Sequence, residues 1–410
     1  MSLLTAAVRD TALTLGPREL PCYIYDLSAL RRHAATVRAA LPERVELYYA
    51  AKANPETEIL RALAPFTDGF EVSSGGELAH VGSAVHDKPL AFGGPGKTPD
   101  EIAAALAAGV RRFHVESLHE LRLLARLASP GRTGTATRPR VLLRFSPPVA
   151  KDALAGSALA MGGSPTPFGM DPAEAAEAMG MFAGGRLDGL ELAGLHAHLA
   201  SGLDSEAQLA LTEEVAASAT ALATRCGARL HELTVGGGMA VDYSRPAARF
   251  DWSGFGAGMA RIAERYPGPV LRIEPGRALT AYCGWYATEV LDVKHSHGED
   301  FAVVRGGTHH LRTPAAKGHD QPAEVLTLED WPHPLPRPAV RGRHVTFTGQ
   351  LCTPKDVLAR GVRAPGLRAG DRVVFALAGA YAWNISHHDF LMHPPPGVRF
   401  LHPPEPRTVP

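Results

Sequence analysis

A lysine between small residues and a tyrosine pair, Tyr48-Tyr49-Ala50-Ala51-Lys52-Ala53-Asn54-Pro55, is the first feature of this chain suited to covalent chemistry. It stands where an apolar run gives way to a turn. A lysine there is partly desolvated, so its ammonium is disfavoured and its amine can form an imine with a carbonyl; the alternative is a surface lysine at a strand end. Leu233-Thr234-Val235 runs into Gly236, Gly237 and Gly238, a strand followed by glycines whose bare backbone suits close approach to a phosphate, or a flexible loop. In Ile273-Glu274-Pro275-Gly276-Arg277 the guanidinium and the Gly276 amide suit an anion. Glu274 can hold a proton on a heteroaromatic nitrogen, unless the stretch is a surface turn with an ion pair. His196 and His198 stand two apart in a strand-like run that continues to Ser201. That spacing puts both rings on one side, but no third metal ligand is evident in the motif, and no metal is expected. Two later stretches offer a thiol in a loop, Gly349 to Asp356 with Cys352, and a phenol after a strand, Gly379-Ala380-Tyr381. A small buried thiol and a core tyrosine are their structural alternatives.

The elements that must carry these groups follow from the apolar pattern. Strand-like runs at Val45–Ala50, Gly69–Val72, Arg112–Val115, Val141–Phe145, Gly189–His196, Glu232–Val235 and Val270–Ile273 alternate with helical stretches such as Asp100–Ala108, Leu118–Ala128, Pro172–Met181 and Glu206–Arg225. That rhythm predicts a parallel sheet covered by helices. Seven or eight such units over about 250 residues fit a (β/α)8 TIM barrel spanning residues 28–280, with catalytic groups at the ends of its strands. Past residue 281 the runs Gly284–Val293, Phe301–Val304, His344–Phe347 and Arg372–Ala376 have no helical stretches between them. They predict an antiparallel β domain made of 281–410 and the N-terminal segment 1–27, which Cys22–Tyr25 joins. His319–Arg343 reads as a proline-rich loop, and His393–Pro410 as an extended or poorly ordered tail.

Composition narrows the class. The chain has 410 residues, a formal net charge of +0, 45% hydrophobic and 20% charged residues. Two domains are the default at this length, and nothing in the charge balance points to nucleic acid or an anionic membrane. Cys22, Cys226, Cys283 and Cys352 are scattered without CxxC spacing, which excludes a zinc ribbon or a disulfide framework and suits a reducing cytoplasm. The first twenty residues lack the basic start, apolar run and cleavage site of a secretory leader, and no run is long and apolar enough to cross a membrane.

Taken in order, the blocks resemble the ornithine/diaminopimelate decarboxylase family, pyridoxal-5′-phosphate (PLP) enzymes with an alanine-racemase-like barrel. The pattern YAxKAN, FDxxSxGEL, HxGS, GGG, EPGR, CxxxD and GAY is matched by Tyr49–Asn54, Phe70–Leu78, His198–Ser201, Gly236–Gly238, Glu274–Arg277, Cys352–Asp356 and Gly379–Tyr381. The resemblance spans nearly the whole chain. It implies that Lys52 is the Schiff-base lysine and that His198 stacks on the pyridine ring. It also implies that Glu274 pairs with the ring nitrogen, and that Ser201, Gly236, Gly237, Gly238, Gly276, Arg277 and Tyr381 surround the phosphate. Cys352 would act as proton donor across a homodimer with shared active sites. Departures concern the substrate. Ala200 replaces a glycine, Glu71 an aspartate, Pro167 a lysine, and Thr353 the acid that commonly meets a distal substrate ammonium. The segment Gly306–Pro314 is altered too. With Asn384–Phe390 it looks like the siderophore-biosynthesis branch (staphyloferrin B-like), which acts on citryl-linked diamino acids. His309, His310 and Arg312 would then suit citryl carboxylates, and Asp356 remains as a source of negative charge for a free diamino acid. The alternatives are a plain diaminopimelate or diamino-acid decarboxylase, a racemase on the same fold, and an inactive, antizyme-inhibitor-like binding protein.

Overall fold

The computed structural model describes residues 2–129, 138–149, 159–162, 165–187 and 189–402. The strands, in chain order, are β1 (Cys22–Asp26), β2 (Val45–Ala50), β3 (Gly69–Val72), β4 (Leu90–Phe92), β5 (Arg112–Val115), β6 (Arg140–Arg144), β7 (Leu159–Ala160), β8 (Glu191–His196), β9 (Ala200–Ser201), β10 (Glu232–Thr234), β11 (Val270–Ile273), β12 (Gly284–Ser296), β13 (Glu299–Val304), β14 (Ala323–Leu326), β15 (His344–Thr348), β16 (Val357–Arg363), β17 (Arg372–Phe375) and β18 (Gly397–Leu401). By contacts the described chain divides into two units. One is His33–Ala240 with Phe250–Leu279; the other is Met1–Arg32, Val241–Arg249 and Thr280–Pro410.

In the first unit β2, β3, β4, β5, β6, β8, β10 and β11 close an eight-stranded parallel barrel, with β10 hydrogen-bonded to both β8 and β11. The expected TIM barrel is therefore present. Its third strand in chain order, β4, has only three residues, too few to carry an apolar run, and the sequence pattern passes over it. The helices that return the chain start on side-chain caps. Ser74, Thr98, Ser117, Asp171 and Asp204 each accept from a backbone N–H of the first turn, and Thr98 with Glu101 forms a capping box. The interior is not all apolar. Arg272, fully buried, donates to Glu46 at 2.5 Å and to Glu232 at 2.7 Å and lies over the Tyr48 ring at 4.6 Å, while Arg112 and Arg140 also reach Glu232. Each charge has an opposite partner, the condition for keeping it out of water.

The second unit is a mixed sheet of order β14-β17-β12-β13-β15-β16, with β1 on β12 and β18 on β1. Cys22–Tyr25 joins it as expected, Cys22 opposite Ala287. Three expectations change. The sheet is not antiparallel throughout, because β1 with β18 and β13 with β15 run parallel. The proline-rich loop contains β14, whose Ala323–Leu326 pairs with β17. The tail contains β18, and its last residues, 403–410, lie outside the described residues. Both added strands follow prolines and are short; their pairing partners, not their own pattern, make them strands. Helix Ala6–Thr14 also escaped the pattern. Its Val8 and Ala12 join Leu20, Ile24, Trp285 and Val374 in this unit's core. Among the described residues no helix is long and apolar enough to cross a membrane.

Candidate functional site

Every chemistry-bearing group of the barrel stands at the C-terminal end of a strand, the end that carries catalysis in this architecture. Lys52 follows β2. Its Nζ lies 2.9 Å from Glu71 Oε2 on the next strand, and Glu71 also accepts from the Ser73 hydroxyl at 2.8 Å. The lysine side chain is 45% exposed and the Glu71 side chain 5%, so the amine is reachable while its counter-ion is buried. Glu71 is the longer acid that replaces the family's aspartate, and it still closes the ion pair.

Gly236 to Gly238 follow β10, the seventh strand of the barrel in chain order, and Glu274 to Arg277 follow β11, the eighth. These are the two loops that most often build a phosphate site in such barrels. The glycines are required by space. A Cβ at Gly236 would stand 2.4 Å from His198 Nδ1, at Gly237 2.3 Å from the Glu274 carbonyl, and at Gly238 2.3 Å from the Ala200 carbonyl. Gly236 and Gly238 also adopt φ of +70° and +95°, which favour glycine. The Gly237 N–H donates to His198 Nδ1 at 3.2 Å, so that amide orients the histidine and is not offered to an anion. Burial, with the positive charges of Lys52 and Arg144, holds the His198 imidazole well below its ordinary pKa. The ring is neutral, accepts at Nδ1 and carries its proton on Nε2. Gly276 and Arg277 open the short turn Arg277–Thr280. Ser201 lies in β9, paired with β7.

His196 and His198 do not share a task. His196 turns inward. Its Nε2 is 3.1 Å from Glu274 Oε2, and its ring stacks on His114 at 4.2 Å and 28°. Sequence reasoning found no third group beside the histidine pair; the fold supplies Glu274 and His114 from two other strands, and His114 carried no motif that marked it. Glu274 Oε1 is buried without a hydrogen-bond partner among the described residues.

The other predicted residues belong to the second unit. Cys352 is exposed, and the Thr353 N–H donates to the Leu351 carbonyl at 2.8 Å. Asp356 is 2% exposed, and its carboxylate accepts from Thr308 N at 2.7 Å, Thr308 Oγ1 at 2.8 Å and Leu351 N at 2.7 Å. It is committed to the fold, not held out for a ligand. His309 and His310 are buried too, at 0% and 1%. His310 meets the Tyr286 hydroxyl and the Pro394 carbonyl; both nitrogens of His309 lack a partner among the described residues. All three side chains are buried within this unit. Arg312 is exposed, 3.2 Å from His387 Nδ1. Tyr381 is half-buried with φ of +48°, and its carbonyl accepts from Thr313.

The barrel residues fit PLP. There is a reachable amine, a glycine cradle that any side chain would fill, a neutral imidazole held by a backbone amide, and an orphaned carboxylate oxygen able to take a ring N–H. Comparison with known proteins agrees. Residues 27–281 match the family described as pyridoxal-dependent decarboxylase, pyridoxal binding domain. The chain is 37% identical to 2-[(L-alanin-3-ylcarbamoyl)methyl]-2-hydroxybutanedioate decarboxylase of Staphylococcus aureus, over 92% of this chain and 93% of that one. It is 33% identical to diaminopimelate decarboxylase of Actinosynnema pretiosum, over 92% and 84%. The fold is similar to that of diaminopimelate decarboxylase from Helicobacter pylori complexed with L-lysine, with a TM-score of 0.79 and 24% identity over 93% and 90% of the two chains. Amine, cradle and matched family converge: this chain belongs to the pyridoxal-dependent decarboxylases, carboxy-lyases whose cofactor is PLP.

Proposed function

We propose that the enzyme removes CO2 from a citryl-linked diamino acid in siderophore biosynthesis, working in the cytoplasm as a homodimer whose subunits share their active sites. The reading treats residues 28–280 as the cofactor domain and 1–27 with 281–410 as the β domain. Bound PLP supplies an electron sink for the pair of electrons left at Cα when CO2 departs. Lys52 anchors the cofactor. Neutral His198 lies against its ring, and Glu274 keeps a proton on the ring nitrogen. Ser201, Gly236, Gly238, Gly276, Arg277 and Tyr381 enclose the phosphate, with Gly237 giving the room. Cys352, from a second copy of the chain, returns a proton to Cα.

One observation carries the substrate assignment. Thr353 has no charge, and the only acid in the loop Leu351–Asp356 is consumed by Thr308 and Leu351. A free diamino acid would bury its distal ammonium without a counter-ion, at several kcal/mol. The Staphylococcus relative is named for a substrate whose distal nitrogen is an amide joined to a hydroxydicarboxylate. Such a group needs no anion and welcomes a cation, for which the exposed Arg312 is suited. On one preparation of holoenzyme, kcat/KM for the citryl-linked diamino acid is expected to exceed that for ornithine, lysine or diaminopimelate by at least about a hundredfold, or about 2.7 kcal/mol. Equal or better turnover of a free diamino acid returns the enzyme to the ordinary diamino-acid branch.

The phosphate cup has its own check. Arg277→Ala removes a charge-assisted contact and is expected to raise the PLP dissociation constant about ten- to a hundredfold. Unchanged affinity in a PLP titration would take Arg277 out of the cup.

A further inference from the structure

Behind Glu274 the barrel holds two imidazoles that the proposed chemistry does not use. His114 on β5 and His196 on β8 stack at 4.2 Å. His196 Nε2 lies 3.1 Å from Glu274 Oε2, whereas His114 Nε2 is 3.7 Å from Oε1, too far for a hydrogen bond. The Lys97 ammonium, 1% exposed, donates to the His114 carbonyl at 2.8 Å and to Glu120 at 2.6 Å, which pins the backbone beneath the first ring. A Cβ at Gly93 would come within 3.4 Å of His114 Nδ1 and 3.0 Å of Glu71 Oε1, so a glycine leaves room for both side chains.

We propose that the stacked His114–His196 pair is a positioning device for Glu274: His196 donates its Nε2–H to Oε2, His114 stops the ring from turning, and Oε1 is left as the single acceptor for the cofactor's ring N–H. The tautomer follows from the contact, because a carboxylate oxygen can only accept and the facing nitrogen must therefore carry the proton. Burial holds both imidazoles well below their ordinary pKa; His196, Arg272 and Lys97 act in the same direction at His114, where Glu274 opposes, and Arg144, Lys52, Arg272 and Lys97 do so at His196. Neutral rings leave the carboxylate's charge for the cofactor instead of neutralising it. Without the donor, Glu274 is free to rotate, and its charge no longer points at one spot. Outer partners of this kind act by orientation, and their loss typically costs ten- to a hundredfold in the function they support.

The inference rests on the PLP reading of the site, and two substitutions separate its parts. His196→Phe keeps a ring to stack on His114 but removes the donor. His196→Gln keeps a donor at about the reach of Nε2 but removes the ring. In the holoenzyme, His196→Phe is expected to raise the PLP dissociation constant about tenfold, to change the shape of the cofactor's visible absorbance band and to lower kcat about tenfold with KM little altered. His196→Gln is expected to restore the wild-type band and most of the affinity. The reverse pattern, with Phe like wild type and Gln perturbed, overturns the proposal, because the pair would then be packing only. The donor atoms of His114, His196 and Glu274 also lie within 4.8 Å of one another, close enough for a divalent cation. A stoichiometric metal in purified holoenzyme, lost in His196→Phe, would equally overturn it. Failure of wild-type protein to bind PLP would instead sink the cofactor assignment of the site.

Discussion

Lys52→Ala is expected to abolish the visible absorbance band of the bound cofactor and to lower kcat/KM at least about a thousandfold, about 4 kcal/mol of barrier. The amine reaches solvent at the end of β2 with an acid beside it. That acid complicates the variant. Glu71 is buried and loses its ammonium partner, keeping the Ser73 hydroxyl, and an uncompensated buried charge destabilises a fold. A drop in melting temperature is therefore expected alongside the lost activity. The double variant Lys52→Ala with Glu71→Gln separates the two, since a neutral amide tolerates the missing ammonium. It should recover stability and remain inactive. A Lys52→Ala enzyme that turns over normally would remove the lysine from the centre of the mechanism.

Acid is expected to loosen the second unit through His309. Burial, with His393 and His387 nearby, lowers its pKa from 6.5 to about 4. The unfolded chain therefore takes up the proton first as pH falls. The stability tied to the neutral ring is complete above the unfolded pKa and is lost between 6.5 and about 4. Between neutral pH and the middle of that window, wild type should lose about 1.5 kcal/mol more than His309→Leu, which has nothing to protonate. Urea midpoints of the two proteins across this range decide it: parallel pH profiles would mean the ring titrates as it does in water. At neutral pH the leucine variant should be no less stable, because both His309 nitrogens are buried without partners among the described residues.

The barrel was legible because its strands are buried on both faces and read as apolar runs between helices. The family was legible because motif order is a far stronger signal than any one motif. What stayed hidden has physical causes. Leu90–Phe92 is a strand only because β3 and β5 flank it, and Gly397–Leu401 only because β1 lies beside it. His114 sits in the run Arg112–Val115, where one polar residue among apolar ones looks like a tolerated substitution; its meaning appears only when the barrel brings β5, β8 and β11 around Glu274. The ion cluster around Arg272 is likewise invisible along the chain, since Glu46, Glu232 and Arg272 are separated by most of the barrel. Nor does the chain show that His309, His310 and Asp356, whose types suit an anion or an ammonium, are buried.

The buried Asp356 has a consequence for how freely its loop can vary. Its carboxylate bolts the Leu351 turn to Thr308, and glycines at 307 and 349 let it in, since a Cβ there would approach it within 2.6 and 2.3 Å. Asp356 thus carries the buried charge of the Cys352 loop, while Thr353, whose Oγ1 accepts from the Lys355 N–H at 3.3 Å, supports none. A change of charge at 353 therefore leaves the buried Asp356 contacts untouched, and an acid or a neutral side chain can stand there without unbolting the turn.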